Sequence, residues 1–197
     1  MVKRDAGSLR CVLVIASSGG SSTQRVHVWR RLRRIGAAYL QQGVAVLPDV
    51  AKTRRALEPL QARAAEQDAT LRILPMTLDS DAADEVRGEF DRERGDEYGE
   101  IQQAALAFVA ELETERRKGR VTYTEFEESE AELHRLDAWL KSVRDRDYFG
   151  AAEAPAAVQA VEACRVALEG FEQDAYAAET SGHSERARSK NRPLRAV

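Results

Sequence analysis

QRVHVWRRLRRIGAAYLQQGVAVLP, residues 24–48, is the stretch from which the fold is read. Val28, Trp29, Leu32, Ile35 and Gly36 follow the i, i+3, i+4, i+7 spacing of one helical face. Arg30, Arg31, Arg33 and Arg34 take the rest of the circumference, with His27 beside Arg30, Arg31 and Arg34. The spacing predicts an amphipathic helix with Trp29, Leu32 and Ile35 in the core. Gly36 stands where the chain must turn left-handed to leave it. Tyr39, Gln41, Gly43, Val44 and Val46 then have the character of two short strands around a bend, ended by Pro48.

Working outward, LRCVLVIA at 9–16 is a short continuous apolar run, as in a strand buried on both faces. The SSGGSST loop at 17–23 lacks the spacing and the lysine of a phosphate-binding loop and reads as a connector. Residues 50–67 predict a second helix with Leu57, Leu60 and Ala64 inward; Pro59 should kink it or mark its start. TLRILPMTL at 70–78 predicts an edge strand, since it contains Pro75. The order βαββαβ is that of a ferredoxin-like α/β sandwich.

From residue 80 the apolar period is helical. Segments 81–94, 101–118, 122–146 and 156–178 carry narrow stripes, with Gly95 and Gly99 expected to interrupt the first two. The expected inward residues are Val86 and Phe90, then Leu106, Val109 and Leu112, then Phe126, Leu133, Leu136, Leu140 and Val143, then Val161, Cys164, Leu168 and Phe171. Such long helices are expected to pack as an antiparallel bundle. The expected organisation is an α+β chain with a ferredoxin-like domain at 1–79, a helical appendage at 80–180 and a disordered basic tail at 181–197.

The chain has 197 residues and a net charge of −3, which is no general attraction for nucleic acid. The distribution is uneven: 25–34 is basic, 79–132 acidic and 186–195 basic again. Cys11 and Cys164 are too few and too distant for a disulfide framework, and read as buried thiols of a cytoplasmic protein. No apolar run reaches the length of a membrane span, so no membrane association is expected.

His27, His134 and His183 form no ligand pair, so no metal or cofactor is expected. Asp145 and Asp147 read as part of a solvated helical face, and no serine or cysteine has an identifiable base. The expectation is a protein that is not an enzyme. The arginine cluster is the candidate site. Arg25, Arg30, Arg31 and Arg34 suit phosphate contact, because guanidinium meets phosphate bidentately. The competing reading is charge balance against the acidic helices.

The ordered pattern Arg25, Val26, Val28, Trp29, Arg30, Leu32, Gly36, Ala37, Leu40, Gln41, Gly43, Val44, Leu47 and Pro48 resembles the N-terminal region of ChrB-type chromate-resistance regulators. RDRDYFGAAEA at 144–154 resembles that family's turn between its last helices. The resemblance implies a ferredoxin-like module similar to those of phenylacetate-pathway repressors and CRISPR spacer-acquisition proteins. It implies a DNA-binding transcriptional regulator of a chromate-resistance operon, with double-stranded DNA as partner and chromate oxyanion as effector. The nuclease activity of the CRISPR proteins is not expected, because the first strand ends Ile15-Ala16-Ser17 without their metal-binding aspartate. Open sheet edges and narrow helical stripes add the expectation of a homodimer. ChrB-type proteins continue into a second domain, whereas this sequence ends soon after the first. The alternative is therefore a stand-alone interaction module of the same fold, without DNA binding.

Overall fold

The computed structural model describes residues 8–16, 22–66 and 71–190, with side chains from residue 26 in the second segment and to residue 180 in the third. The elements run β1 Leu9–Ala16, α1 Ser22–Arg34, β2 Ala38–Gln41, β3 Val44–Pro48, α2 Ala51–Glu66, β4 Leu71–Leu78, α3 Ser80–Lys118, α4 Tyr123–Arg146 and α5 Ala154–Lys190. Most of the 17–23 loop and residues 191–197 of the expected tail lie outside the described residues. Among the described residues no helix is long and apolar enough to cross a membrane.

The chain divides into two compact units. The first comprises Met1–Glu97 with Val143–Ala152, the second Tyr98–Ser142 with Glu153–Val197, so the division falls inside α3.

In the first unit the strands form one antiparallel sheet in the order β2-β3-β1-β4. Cys11 and Val12 are neighbours on β1 and so point to opposite faces; both are buried, so both faces are covered. Leu32 of α1, Leu57, Leu60 and Ala64 of α2, and Ala83, Val86 and Phe90 of α3 share this core. β4 is an edge strand, where Pro75 costs no ladder bond on its open side. Pro59 lies within α2 without ending it. It is exposed, so the carbonyl that loses its donor faces water.

Gly36 closes α1 with φ 77°; the Gly36 amide donates to the Arg33 carbonyl and the Ala37 amide to the Leu32 carbonyl. A Cβ on Gly36 would lie 2.6 Å from Arg146 Cβ and 2.9 Å from the Arg146 carbonyl. The 143–152 segment docks there. The Tyr148 hydroxyl donates to the Ile35 carbonyl at 2.6 Å, and Phe90 meets Tyr148 and Phe149 edge-on. Asp147 accepts from the Gly150 amide at 2.8 Å and the Ala151 amide at 3.1 Å. This aspartate shapes a turn and is not simply part of a solvated face.

In the second unit Ile101, Ala105, Phe108 and Leu112 of α3 are buried, as are Phe126, Leu133, Leu136 and Leu140 of α4 and Val161, Cys164, Leu168 and Phe171 of α5. Leu106, expected inside, is exposed, because the stripe on α3 runs through Ala105 and Phe108 instead. The Cys164 thiol reaches the Ala105 carbonyl at 3.4 Å and Arg116 meets Asp174 at 2.8 Å, so α3 and α5 run in the same direction. Gly95 and Gly99 do not interrupt α3, which is one helix of 39 residues. A Cβ at Gly99 would meet nothing within 4 Å, so its cost is backbone freedom alone, about 1 kcal/mol, which a packed helix absorbs. α5 extends to Lys190, past the expected start of the tail.

Candidate functional site

His27, Arg30, Arg31 and Arg34 have the spacing of one helical stripe and lie together on one side of α1. That stripe faces Pro59, Leu60 and Arg63 of α2 across a groove of about 410 Å³. Arg30, Arg34 and Arg63 are exposed and Arg31 is half-buried. The groove thus brings together three of the four arginines expected from the sequence. The side chain of Arg25 lies outside the described residues. Arg63 was not singled out from the sequence. Its position three residues after Leu60, beside the buried Ala64, is the signal that would have placed it at the rim of the inner face.

Among the described residues, no carboxylate pairs with Arg30, Arg31, Arg34 or Arg63. Other arginines of the same unit are paired. Arg10 and Arg54 share Asp49, whose carboxyl is held below its usual range first by the hydrogen bond from Arg54. Arg94 meets Glu93 and Glu97 at 3.0 Å, and Arg146 meets Glu97 at 2.7 Å. Four guanidinium groups around one concavity repel each other, and an external anion relieves that repulsion.

A second hollow, of about 420 Å³, adjoins the groove through Arg30, which lines both. Its other walls are Val26, Trp29, Arg33, Tyr39, Gln41 and Gln42. Trp29, expected in the core, is only half-buried, with its ring 4.6 Å from that of Tyr39 and tilted by 42°. Its neighbour on the sheet is Tyr39 of β2, an edge strand only four residues long. Burial pushes the Tyr39 phenol up to about 12, and its hydroxyl donates to the Trp29 carbonyl at 2.9 Å.

A third hollow, of about 250 Å³, is lined by Arg33, Ala37, Glu93, Arg94, Asp96 and Glu97. Here acids and arginines pair with each other, and burial raises the pKa of Glu93. This network, joined by Arg146, fastens the 143–152 segment. Among the described residues no three His, Cys, Asp or Glu side chains are grouped to hold a metal ion.

The profile of the family described as Protein ChrB, N-terminal, matches residues 25–182. Protein ChrB of Cupriavidus metallidurans is 29% identical over 143 residues, which are 70% of this chain and 40% of that protein. The chain therefore corresponds to less than half the length of that relative. No solved structure matches it. The family match begins at Arg25 and takes in the arginine groove, the aromatic hollow and the docked 143–152 segment, and it covers most of the sequence: the chain belongs to the ChrB family, through that family's N-terminal region.

Proposed function

We propose that this chain is a DNA-binding regulator associated with chromate resistance. The observation that carries the reading is the groove of Arg30, Arg31, Arg34 and Arg63, none of which is paired with an acid among the described residues. A duplex supplies regularly spaced phosphates, and each one neutralised by arginine releases condensed counterions. Chromate is the proposed effector. As a tetrahedral dianion it offers a guanidinium the same oxygen geometry as phosphate, so it competes for the groove or reinforces it. Such a protein acts in the cytoplasm, where it meets DNA.

The first unit is read here as a ferredoxin-like module, supported by its βαββαβ order and its β2-β3-β1-β4 sheet. The long helices of the second unit are read as a bundle. A homodimer belongs to the same proposal, because β2 and β4 each leave one sheet edge open among the described residues. Light scattering at micromolar concentration should return twice the chain mass; the monomer mass would remove the dimer.

The reading is tested by fluorescence anisotropy of duplex DNA against the full chain, titrated with salt, with and without chromate. Replacing Arg30, Arg31 and Arg34 by glutamine should weaken binding to all sequences and flatten the salt dependence. Unchanged affinity and slope would remove the groove from DNA binding, and no binding by the unaltered chain would favour the interaction module.

A further inference from the structure

The two hollows that meet at Arg30 differ in chemistry. The arginine groove is cationic, whereas the second hollow is walled by Val26, Trp29 and Tyr39 and by the amides of Gln41 and Gln42. Among the described residues no carboxylate lines it. We propose that this hollow takes one unpaired nucleobase, stacked on Trp29 and Tyr39, of a strand whose phosphates lie in the adjoining arginine groove. The inference rests on the nucleic-acid reading above and specifies the strand: one with a base free of its partner.

Three observations support this occupant. The Trp29 and Tyr39 rings, 4.6 Å apart and splayed by 42°, present aromatic surface at the wall of an open hollow. The Tyr39 ring is fixed in advance by its hydroxyl on the Trp29 carbonyl and by the Arg33 guanidinium 5.7 Å from its centre, so little ordering remains to oppose binding. Arg30 joins the slot to the groove, so a base in the one is covalently continuous with a phosphate in the other. An apolar peptide would make no use of Arg30 and Arg33, and a fully paired duplex would hold its bases out of reach. Base stacking on aromatic side chains tolerates any sequence, because every base offers a π face, and Gln41 and Gln42 stand where a base edge would seek hydrogen bonds.

The test uses the full chain with three labelled probes: a short oligothymidylate, an abasic sugar–phosphate chain of the same length, and a blunt duplex. Oligothymidylate should bind on the order of tenfold more tightly than the abasic chain, and Trp29→Leu should abolish that difference while leaving abasic binding unchanged. A second readout does not depend on how that variant folds. The chain has two tryptophans, Trp29 and Trp139, so Trp139→Phe leaves Trp29 as the only one. Its fluorescence should be quenched by oligothymidylate and not by the abasic chain. Equal affinity for the two chains with no quenching overturns the base site and leaves the arginine groove standing. Failure of all three probes to bind overturns both.

Discussion

Arg30, Arg31 and Arg34 of α1 and Arg116 and Arg165 of the second unit sit in opposite surroundings. On α3 and α5, Arg116 meets Asp174 at 2.8 Å, and Arg165 lies against both Asp137 and Glu162. On α1, Arg30, Arg31 and Arg34 have no such partner among the described residues and share a groove with Arg63. The same residue type thus does two jobs. In the second unit it fastens helix to helix, while on α1 it leaves a concentrated positive charge unmet. Within the first unit Asp49, Glu93 and Glu97 are held by other arginines, Arg10, Arg54, Arg94 and Arg146.

Substitutions in the two units should differ in their effect on stability. Phe171→Ala in the second unit should cost about 3–5 kcal/mol in a urea melt, since the ring is fully buried. Gly36→Ala should cost about 2–4 kcal/mol, because a left-handed backbone and an overlap with Arg146 act together. Gly119→Ala isolates the first of these. It has φ 70° and nothing within 4 Å of the added carbon, so about 1 kcal/mol is expected. Equal costs at the two glycines would mean that the 143–152 segment does not press on α1. Trp29→Ala should cost about 1–2 kcal/mol, below a full core residue, because the indole is half-exposed at the hollow. Smaller still, replacing Arg30, Arg31 and Arg34 by glutamine should leave the melting temperature nearly unchanged, whereas Arg116→Gln should lower stability by up to about 1 kcal/mol.

Stability should also fall in alkali. Burial pushes the Cys11 thiol up to about 11 and the Tyr148 phenol to about 12. The unfolded chain therefore loses these protons first as pH rises above about 9, and between there and the raised values each unit of pH favours unfolding. Thermal melts from pH 8 to 11 should show a falling midpoint; a flat profile would contradict this.

Much of this was legible in the sequence because local pattern and tertiary packing agree. The run at 9–16 and Leu57, Leu60 and Ala64 proved to be strand and helix core, and Gly36 proved to have positive φ. Where they disagree, local pattern failed. Gly95 and Gly99 suggested breaks, yet α3 passes through both. Trp29 fitted an apolar stripe, but it meets only Tyr39 of the four-residue edge strand β2 as ring neighbour and stays half-buried. Leu106 was given the wrong phase for the same kind of reason: small Ala105 holds the buried position, and size is a poor guide where helices approach closely. In the candidate site the α1 arginines follow from spacing, but Arg63 and Tyr39 join them only through tertiary structure.

The proposal above is that the charge of Arg30, Arg31 and Arg34 is available to an external polyanion, whereas that of the paired Arg116, Arg120 and Arg165 is not. It is tested most directly by measuring the salt dependence of duplex binding for the full chain and two variants, one with Arg30, Arg31 and Arg34 changed to glutamine, the other with Arg116, Arg120 and Arg165 changed to glutamine. The first variant should flatten the slope of log affinity against log salt by about 2–3, roughly one released counterion per lost contact, and the second should leave it unchanged. Equal slopes for the two variants, or a flattening confined to the second, would contradict it.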